Sequence, residues 1–371
     1  MLCLGLLLTG FLGGRAQVAG SAAVGKLDLT LAKAIEIALA ENPTIKVADK
    51  DVELKRLADK EAWQSLLPTL DATLTFSHAI KVAEMKIGGQ KVKFGQDGSS
   101  TATGVLALNV PVFAPAVYQN MKLTKEDILL AQEKARGSRL DLINQVTKAY
   151  YSALLSSDSY EVMQRSYQVA KENFDVVDNK YKVGGVSEYD KISAEVQMRS
   201  TSSAMVSAET GRNLALLQLK VLMGVTANVD IRIDDRLSSY GDKLTLADAV
   251  AAENELNGNS SLRQINQNMA LLERSRKLLK TNFMPTVALS LSGQYQSVSN
   301  TDWNIFGYEY SPSATLALSI SVPIFHADNW TKLKTNKLQL AQLEDTRLNT
   351  QRQLSMAVES YRQNMASSSI S

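Results

Sequence analysis

The sequence predicts a mainly helical protein with a small β part, in which long coiled-coil-like helical hairpins accompany four membrane-spanning β-strands. Two observations favour this fold class: three landmarks recur in one order at nearly constant spacing, and within each copy the hydrophobic period changes from 3.6 to 2. The landmark pairs are Leu29-Thr30-Leu31 and Leu244-Thr245-Leu246, 215 positions apart; Leu67-Pro68-Thr69-Leu70 and Met284-Pro285-Thr286-Val287, 217 apart; and Val110-Pro111-Val112-Phe113 and Val322-Pro323-Ile324-Phe325, 212 apart. We therefore expect two structural repeats, at 27–243 and 244–371.

The N-terminus has the pattern of a secretory signal peptide. An apolar run from Leu2 to Leu12 is too short to span a bilayer, and small residues near Ala16 and Ala19 follow it. We expect a signal peptide at 1–19, although the usual basic start is missing; the alternative is a buried N-terminal segment. Cleavage would remove Cys3, the single cysteine, so that no disulfide is expected.

Two helices are expected to open the first repeat, because apolar side chains follow a 3.6-residue period from Thr30 to about Leu66. Asn42-Pro43 interrupts this pattern, since proline lacks the backbone N–H that a helix interior needs. Pro68 ends the second helix, which we expect to run from Thr44 to Ser65.

Four runs of about ten residues then alternate apolar with small polar side chains, the pattern of transmembrane β-strands. The apolar positions are Leu70, Ala72, Leu74 and Phe76; Leu106, Leu108, Val110 and Val112; Val287, Leu289, Leu291 and Tyr295; and every second residue from Ala314 to Ile324. We expect β-hairpins at 67–113 and 285–325, with polar loops at 79–101 and 298–312 outside the membrane. Asp71 would face the lumen. The alternative for each run is a half-buried strand of a soluble β-sandwich.

Four strands are too few to close a barrel. An open sheet edge in lipid leaves backbone groups unpaired, at several kcal/mol each. If the strands span a membrane, the chain must therefore oligomerise, and three chains would supply twelve strands.

The longest predicted element is a helical hairpin at 115–224. Its outgoing helix, from about Val117 to Tyr181, carries two apolar seams with a seven-residue period, which predicts coiled-coil packing. The seams are Val146, Ala153, Tyr160, Tyr167, Phe174 and Tyr181, and Leu142, Ala149, Ser156, Met163, Ala170 and Val177. Gly184-Gly185 ends this helix. A return helix runs from Ser187 to Leu222, Gly224 closes it, and a polar connector at 225–243 follows.

Little in the sequence indicates chemistry. The formal charge of +2 gives no electrostatic case for nucleic acid, and the two histidines, His78 and His326, both adjoin strand ends. No metal-ligand spacing or phosphate loop is present, and without a usable histidine or cysteine the usual nucleophile–base arrangements are absent. A Ser–Lys pair stays an alternative, but no pattern in the sequence indicates one. We therefore expect neither an enzyme nor a bound metal or cofactor, and assign the histidines to the edge of the membrane region.

Three motifs resemble the TolC family of outer membrane efflux proteins. The most specific is Tyr181-Lys182-Val183-Gly184-Gly185-Val186-Ser187-Glu188-Tyr189-Asp190-Lys191-Ile192-Ser193-Ala194, which resembles the helix-tip pattern of that family. Leu222-Met223-Gly224 is similar to the end of its hairpin, and the two Pro-containing landmarks at Pro111 and Pro323 resemble its strand-to-helix junctions. The junctions depart from the family in lacking a glycine pair. The resemblance extends from about Leu27 to the end of the chain.

The resemblance implies a homotrimer with a β-barrel in the outer membrane and an α-helical tunnel in the periplasm. Substrates would leave passively, driven by an inner-membrane pump that a periplasmic adaptor protein couples to the tunnel. Val183, Gly184, Gly185, Val186 and Ser187 would contact the adaptor, although the glycines also suit a plain helical turn. Glu188 and Asp190, in the first turn of the return helix, would interact favourably with the helix dipole through their negative charges. Neither the exported substrate nor the class of pump can be inferred.

The second repeat looks incomplete beside the first. Gly184 and Gly224 lie 73 and 113 residues after Pro111, so that their counterparts would fall near positions 396 and 436, whereas the sequence has 371 residues. The expectation is a C-terminally truncated member of the family. The alternative function is a secreted or periplasmic coiled-coil scaffold that binds partner proteins without spanning a membrane.

Overall fold

A computed structural model describes residues 27–87, 90–93, 96–233, 235–236, 256–299, 307 and 309–368. The predicted signal peptide at 1–19 and the landmark Leu244-Thr245-Leu246 lie outside these ranges. The chain divides into two compact units, one drawn from Met1–Asn42 and Leu142–Asp242 and the other from Pro43–Asp141 and Lys243–Ser371. The division into two sequence repeats stays a prediction.

Six α-helices carry most of the residues that the structure describes. They are α1 (Leu31–Glu41), α2 (Pro43–Gln64), α3 (Pro115–Lys182), α4 (Glu188–Met223), α5 (Ser260–Lys280) and α6 (Ala327–Ser368). The predicted helices of the first repeat are confirmed within two residues. Pro43 and Pro115 each occupy a first helical position, where the missing N–H removes no hydrogen bond. The 68 residues of α3 span roughly 100 Å at about 1.5 Å per residue.

Eight strands accompany these helices within the described ranges. They are β1 (Leu27–Asp28), β2 (Thr69–His78), β3 (Glu84–Ile87), β4 (Gln90–Lys93), β5 (Ser100–Phe113), β6 (Ile231–Arg232), β7 (Thr286–Ser299) and β8 (Ser311–Ser321). The four long strands form one antiparallel sheet in the order β2-β5-β7-β8, which confirms both predicted hairpins. Within the described residues, β2 and β8 each pair on one side only.

The register of this sheet separates the predicted apolar and polar positions. Leu70, Leu108, Leu291 and Leu316 lie opposite one another across all four strands, and the neighbouring row on the other face holds Asp71, Ala107, Ser292 and Thr315. Large side chains of the apolar face are exposed, among them Leu70, Leu74, Leu106, Leu291, Tyr295, Leu316, Leu318 and Ile320. One face of the sheet is therefore apolar and uncovered, and the other bears small polar side chains.

Two predictions for the sheet region are wrong, one strand end and one loop. The last strand was expected to reach Ile324 but ends at Ser321, because Ser321 lies opposite Thr286, the first residue of its partner β7. The segment 79–101, expected to be an open loop, contains the antiparallel pair β3–β4. Gly88-Gly89 separates these strands in the sequence, and this pair favours two-residue hairpin connections.

In the unit that contains α4, a pair of short strands and one buried tyrosine connect segments that are far apart in the sequence. β1 pairs in parallel with β6, so the segment predicted as a plain polar connector carries a strand. Tyr150 of α3 is fully buried, and its hydroxyl lies 2.7 Å from Oδ2 of Asp235. Asn42, which follows α1, donates from Nδ2 to the carbonyl oxygen of Leu222 at 2.7 Å. These contacts hold the N-terminal segment against α3 and α4.

The two predicted heptad lines of α3 lie side by side on one face of the helix. Together they form its inner seam, the set of side chains that packs against neighbouring elements. Every seam position from Leu142 to Val177 is buried or half-buried, which confirms the heptad prediction, whereas Tyr181 at the end is exposed. α4 has a matching inner seam of Ala194, Met198, Thr201, Met205, Ala208, Arg212, Ala215, Leu219 and Leu222, all buried or half-buried. The guanidinium carbon of Arg212 lies 4.4 Å from the ring centroid of Tyr160, which joins the two seams.

Each of these helices also carries an outer seam, a second 4-3 line of exposed and mostly uncharged residues. The outer seam of α3 is Ser152, Leu155, Ser159, Val162, Ser166, Val169, Asn173, Val176, Lys180 and Val183. The outer seam of α4 is Tyr189, Ser193, Val196, Ser200, Ser203, Ser207, Thr210, Leu214, Leu217 and Val221. An exposed face of a solvated helix is normally charged, and heptad spacing of apolar and small residues is typical of a packing surface.

In the other unit, ion pairs and one close approach hold the helices that flank the N-terminal part of α3. Lys55 of α2 pairs with Asp127 at 2.9 Å, and Arg274 of α5 pairs with Glu126 at 3.1 Å. A Cβ atom at Gly137 would lie 2.7 Å from Oγ of Ser260, so glycine permits α5 to approach α3 there. Among the described residues, no helix is long and apolar enough to cross a membrane.

Candidate functional site at the helix tip

The turn between α3 and α4 brings the five predicted tip residues together. α3 stops because Gly184 adopts φ +76°, a conformation that residues with a Cβ avoid. The amide of Gly184 donates to the carbonyl oxygen of Tyr181 at 2.9 Å, and the amide of Gly185 donates to that of Lys180 at 2.8 Å. This pair of bonds is a Schellman motif, which satisfies the last carbonyl groups of α3. The predicted helical turn at Gly184-Gly185 is confirmed.

Ser187 starts the return helix through a capping box. The amide of Asp190 donates to Oγ of Ser187 at 3.2 Å, and the amide of Ser187 donates to Oδ2 of Asp190 at the same distance. The serine hydroxyl also donates to that carboxylate at 2.6 Å. These two hydrogen bonds from Ser187, the hydroxyl bond being the stronger, lower the pKa of Asp190. Glu188 and Asp190 lie in the first turn of α4, as predicted, where a negative charge favours the helix dipole.

A carboxylate near the end of α3 gathers two ammonium groups. Oδ2 of Asp178 lies 2.6 Å from Nζ of Lys182, and Oδ1 lies 2.8 Å from Nζ of Lys191 on α4. Hydrogen bonds from Lys182 and then Lys191 lower the pKa of Asp178, and the hydrogen bond to Asp178 raises the pKa of Lys191. Nζ of Lys191 also lies 5.0 Å from the ring centroid of Tyr181, within the range of a cation–π contact.

The outer surface of the tip is apolar. Val183 is 83% exposed and Tyr189 is 80% exposed, whereas Val186 is half-buried. Val183 is among the tip residues that the sequence predicts, whereas Tyr189 and the cluster of Asp178, Lys182 and Lys191 are not. Tyr189 could have been found from its place seven residues before Val196, because both belong to the outer seam of α4.

The described residues offer no site for metal chemistry, since none of them form a group of three or more His, Cys, Asp or Glu side chains suited to an ion. His78 ends β2, with Nδ1 3.0 Å from Oγ of Ser100, and His326 is exposed just before α6. His78 thus lies at a strand end, as predicted, whereas His326 lies five residues beyond the end of β8. The tip exposes apolar and charged side chains, and its described residues contain no nucleophile–base pair.

The α3–α4 hairpin lies within the part of the chain that matches a known protein family. The model for the family described as outer membrane efflux protein matches residues 34–225, more than half of the chain. The chain belongs to the outer membrane efflux protein family. The functional class is therefore an outer membrane efflux duct and not an enzyme. Comparison with curated protein sequences gave no match.

Solved outer membrane proteins share the fold of this efflux protein. The CmeC outer membrane channel of Campylobacter jejuni is 16% identical, with 98% of this chain and 78% of CmeC covered at a TM-score of 0.65. The MtrE outer membrane channel of Neisseria gonorrhoeae is 19% identical, with 94% and 77% covered at 0.61. The outer membrane protein VceC of Vibrio cholerae is 15% identical, with 87% and 75% covered at 0.60. At these identities the likeness concerns the fold, and it confirms the TolC-like fold class.

Proposed function

We propose that this efflux protein is the exit duct of a tripartite efflux or secretion system, through which substrates cross the outer membrane passively. Three copies would form the duct, with the strands in the outer membrane and the helices in the periplasm. A periplasmic adaptor protein would contact the tip at Val183–Ser187 and couple the duct to an inner-membrane pump. The observation that carries the proposal is the four-stranded sheet, with its apolar face, its polar face and its two edges.

The faces of the sheet suit a wall between lipid and water. Leu74 is 90% exposed on the apolar face, an exposure that is unfavourable in water and favourable in hydrocarbon. Asp71 lies on the opposite face, where the rows contain alanine, serine and threonine. Small polar side chains on that face leave room for solutes. An apolar surface outside and a polar surface inside are what a membrane channel requires.

Exposed aromatic side chains lie at both ends of the strands. Trp63, Phe113, Tyr118, Phe283, Phe325 and Trp330 flank the ends that adjoin helices, and Phe76, Tyr295 and Tyr310 flank the loop ends. On β2 the distance from Thr69 to Phe76 is seven residues, roughly 23 Å at about 3.3 Å per residue. At the strand tilt of about 35–45° that is typical of such barrels, this segment would cover roughly 16–19 Å of the ~25 Å apolar band, whose borders are aromatic.

The edges of the sheet support assembly from several copies. β2 and β8 are antiparallel to each other within the up-and-down order of the sheet, so that β8 of one copy can pair in an antiparallel manner with β2 of the next. Such a contact is head-to-tail and must close into a ring to leave no edge in lipid. Three copies would give a barrel of twelve strands.

The outer seams support the same assembly in the helical part. Each helix of the hairpin has one seam engaged and a second one exposed along the same length. Serine and valine in the outer seam of α3, at Ser159, Val162, Ser166 and Val169, allow close approach of another helix. A helix with two packing seams belongs in a closed wall, where it has a neighbour on either side.

Photo-crosslinking of the full chain in Gram-negative cells tests this assembly. A crosslinking residue at Val169, in the outer seam, is expected to give adducts between copies, while one at Tyr167, in the inner seam, gives adducts within one chain. The protein should also require detergent for extraction from membranes and migrate as a heat-sensitive trimer. A soluble, elongated monomer without intermolecular adducts would contradict the duct and favour a periplasmic scaffold.

A further inference from the structure

A single carboxylate connects the two helices of the tip. Asp178 lies one turn before the end of α3 and contacts Lys182 of its own helix and Lys191 of α4. Its side chain is 18% exposed and that of Lys191 is 30% exposed, so this pair is more sheltered than an ordinary surface ion pair. Among the described residues, the Asp178–Lys191 contact is the ion pair that joins α3 to α4.

The Asp178–Lys191 contact is important because the exposed apolar residues of the tip lie between these two residues in the sequence. Val183 and Tyr189, the two most exposed apolar side chains of the tip, both fall in the segment that Asp178 and Lys191 enclose. The Schellman bonds end α3 and the capping box starts α4, but each of these motifs acts within its own helix. The angle between the two helix ends at the turn therefore depends on contacts that cross from one helix to the other.

The ring of Tyr181 completes this cross-connection. Nζ of Lys191 lies 2.8 Å from Oδ1 of Asp178 and 5.0 Å from the ring centroid of Tyr181. An ammonium group held by a carboxylate and an aromatic face has two directional partners on α3. Its position fixes the first turn of α4, and hence the direction of Tyr189, two residues before Lys191.

We infer that Asp178 is a positioning residue, which through Lys191 holds Val183 and Tyr189 in the orientation that a helical partner protein contacts. The inference rests on the proposed function of the tip. Asp178 itself need not touch the partner, because its carboxylate is directed to the two lysines. Its role is to reduce the number of conformations that the apolar pair adopts before binding, which lowers the entropic cost of association.

The test compares Asp178→Asn, Asp178→Glu and Lys191→Gln with Asp175→Asn, an exposed aspartate on the same helix, in the full chain. A crosslinking residue at Tyr189 reports contact with a periplasmic adaptor protein co-expressed in the same cells. A spin label at Val183→Cys, in a chain with Cys3→Ser, reports local mobility. We expect Asp178→Asn and Lys191→Gln to lower the adduct at least fivefold and to raise label mobility, while Asp178→Glu retains both properties and thermal unfolding is unchanged.

Adduct yields and label mobility equal to those of Asp175→Asn would overturn the inference and leave the proposed function intact. Loss of the adduct with a matching fall in the unfolding temperature would also overturn it, since that pattern belongs to a general structural role. A wild-type chain that gives no adduct contradicts the proposed contact at the tip, and the label at position 183 then decides whether Asp178 orients that segment.

Discussion

The hydroxyl group of Tyr150 lies 2.7 Å from Oδ2 of Asp235, and it lies 3.2 Å from the carbonyl oxygen of Leu29. Tyr150 is fully buried on α3, whereas its two partners belong to segments more than eighty residues away on either side in sequence. One side chain therefore joins the start of the described chain and the connector after α4 to the long helix. A buried phenol hydroxyl needs a hydrogen-bond partner, and these two segments supply it.

Tyr150→Phe should destabilise this unit by about 1–2 kcal/mol, since the ring remains while the carboxylate and the carbonyl group lose a partner. Urea titration of the purified chain, followed by far-ultraviolet circular dichroism, measures the free energy of unfolding. Tyr167→Phe is the matched control, because Tyr167 lies on the same helix and its hydroxyl has no hydrogen-bond partner among the described residues. Equal effects of the two changes would count against the hydrogen bond of Tyr150.

Gly224→Ala should cost more stability than Gly184→Ala, although both glycines have φ near +70°. A Cβ at Gly184 meets nothing within 4 Å, so alanine there adds only the strain of the left-handed conformation, about 1–2 kcal/mol. A Cβ at Gly224 would lie 2.8 Å from the backbone oxygen of Glu41, which cannot move without shifting α1. The difference between the two unfolding free energies checks this ranking, and equal values would contradict it.

Ser187→Ala should loosen the tip, because it removes the capping hydroxyl and about 1 kcal/mol of helix stability with it. Hydrogen exchange of the peptide that covers the first turn of α4 is expected to speed up about fivefold, the factor that corresponds to this free energy. Ser187→Thr should keep the protection, because threonine also caps helices. Ser193→Ala, at an exposed serine of the same helix, serves as the control and should leave exchange unchanged.

Acid should open the tip. The pKa of Asp178 is lowered by hydrogen bonds from Lys182 and Lys191, and that of Asp190 by those from Ser187. A carboxylate whose pKa is lower in the folded state stabilises that state fully above its unfolded pKa, about 3.9, and loses this contribution as the pH falls through the folded value. Mobility of the spin label at position 183 should therefore rise below about pH 4. The double variant Asp178→Asn/Asp190→Asn should remain mobile and insensitive to pH over the same range.

Leu291→Arg should prevent stable insertion, whereas Ser292→Arg should be tolerated. The two residues are neighbours on β7 but belong to the opposite faces of the sheet. An arginine towards lipid costs about 2–4 kcal/mol at the middle of the bilayer, and an arginine towards a water-filled lumen does not meet that cost. The amount of heat-sensitive trimer in the membrane fraction measures the outcome. Similar amounts for both variants would show that the apolar face does not contact lipid.

Much of the fold could be predicted because the relevant signals are local and repeated. The period of the hydrophobic pattern distinguished helix from strand around Pro68 and Pro111. Gly184 and Gly224 marked two helix ends, because glycine adopts the left-handed conformation of such ends most readily. The prediction failed where short elements depend on partners far away in the chain. β1 and β6 have two residues each and exist only because they pair with each other.

The candidate site was predicted in outline. Val183–Ser187 forms one turn, as the motif indicated, but its role as an adaptor contact stays a prediction. Asp178, Lys191 and Tyr189 were missed as a functional group, because their separation along the chain hides a contact that arises only when the helices fold back at Gly184. The outer seams were not predicted, for a related reason. Spacing shows which positions of a helix fall on one line, but only burial in the folded chain shows which line is covered by a neighbour.

By itself, the sequence determined the fold class, the alternation of the two faces of the sheet, the length of α3 and the position of the tip. Each of these follows from the periods of side-chain direction in helices and strands and from the backbone freedom of glycine and proline. The tertiary structure alone decided the strand order, the cross-helix ion pair at Asp178, the buried hydroxyl of Tyr150 and the exposure of the outer seams. These depend on distances between residues remote in the chain, which local propensity does not encode.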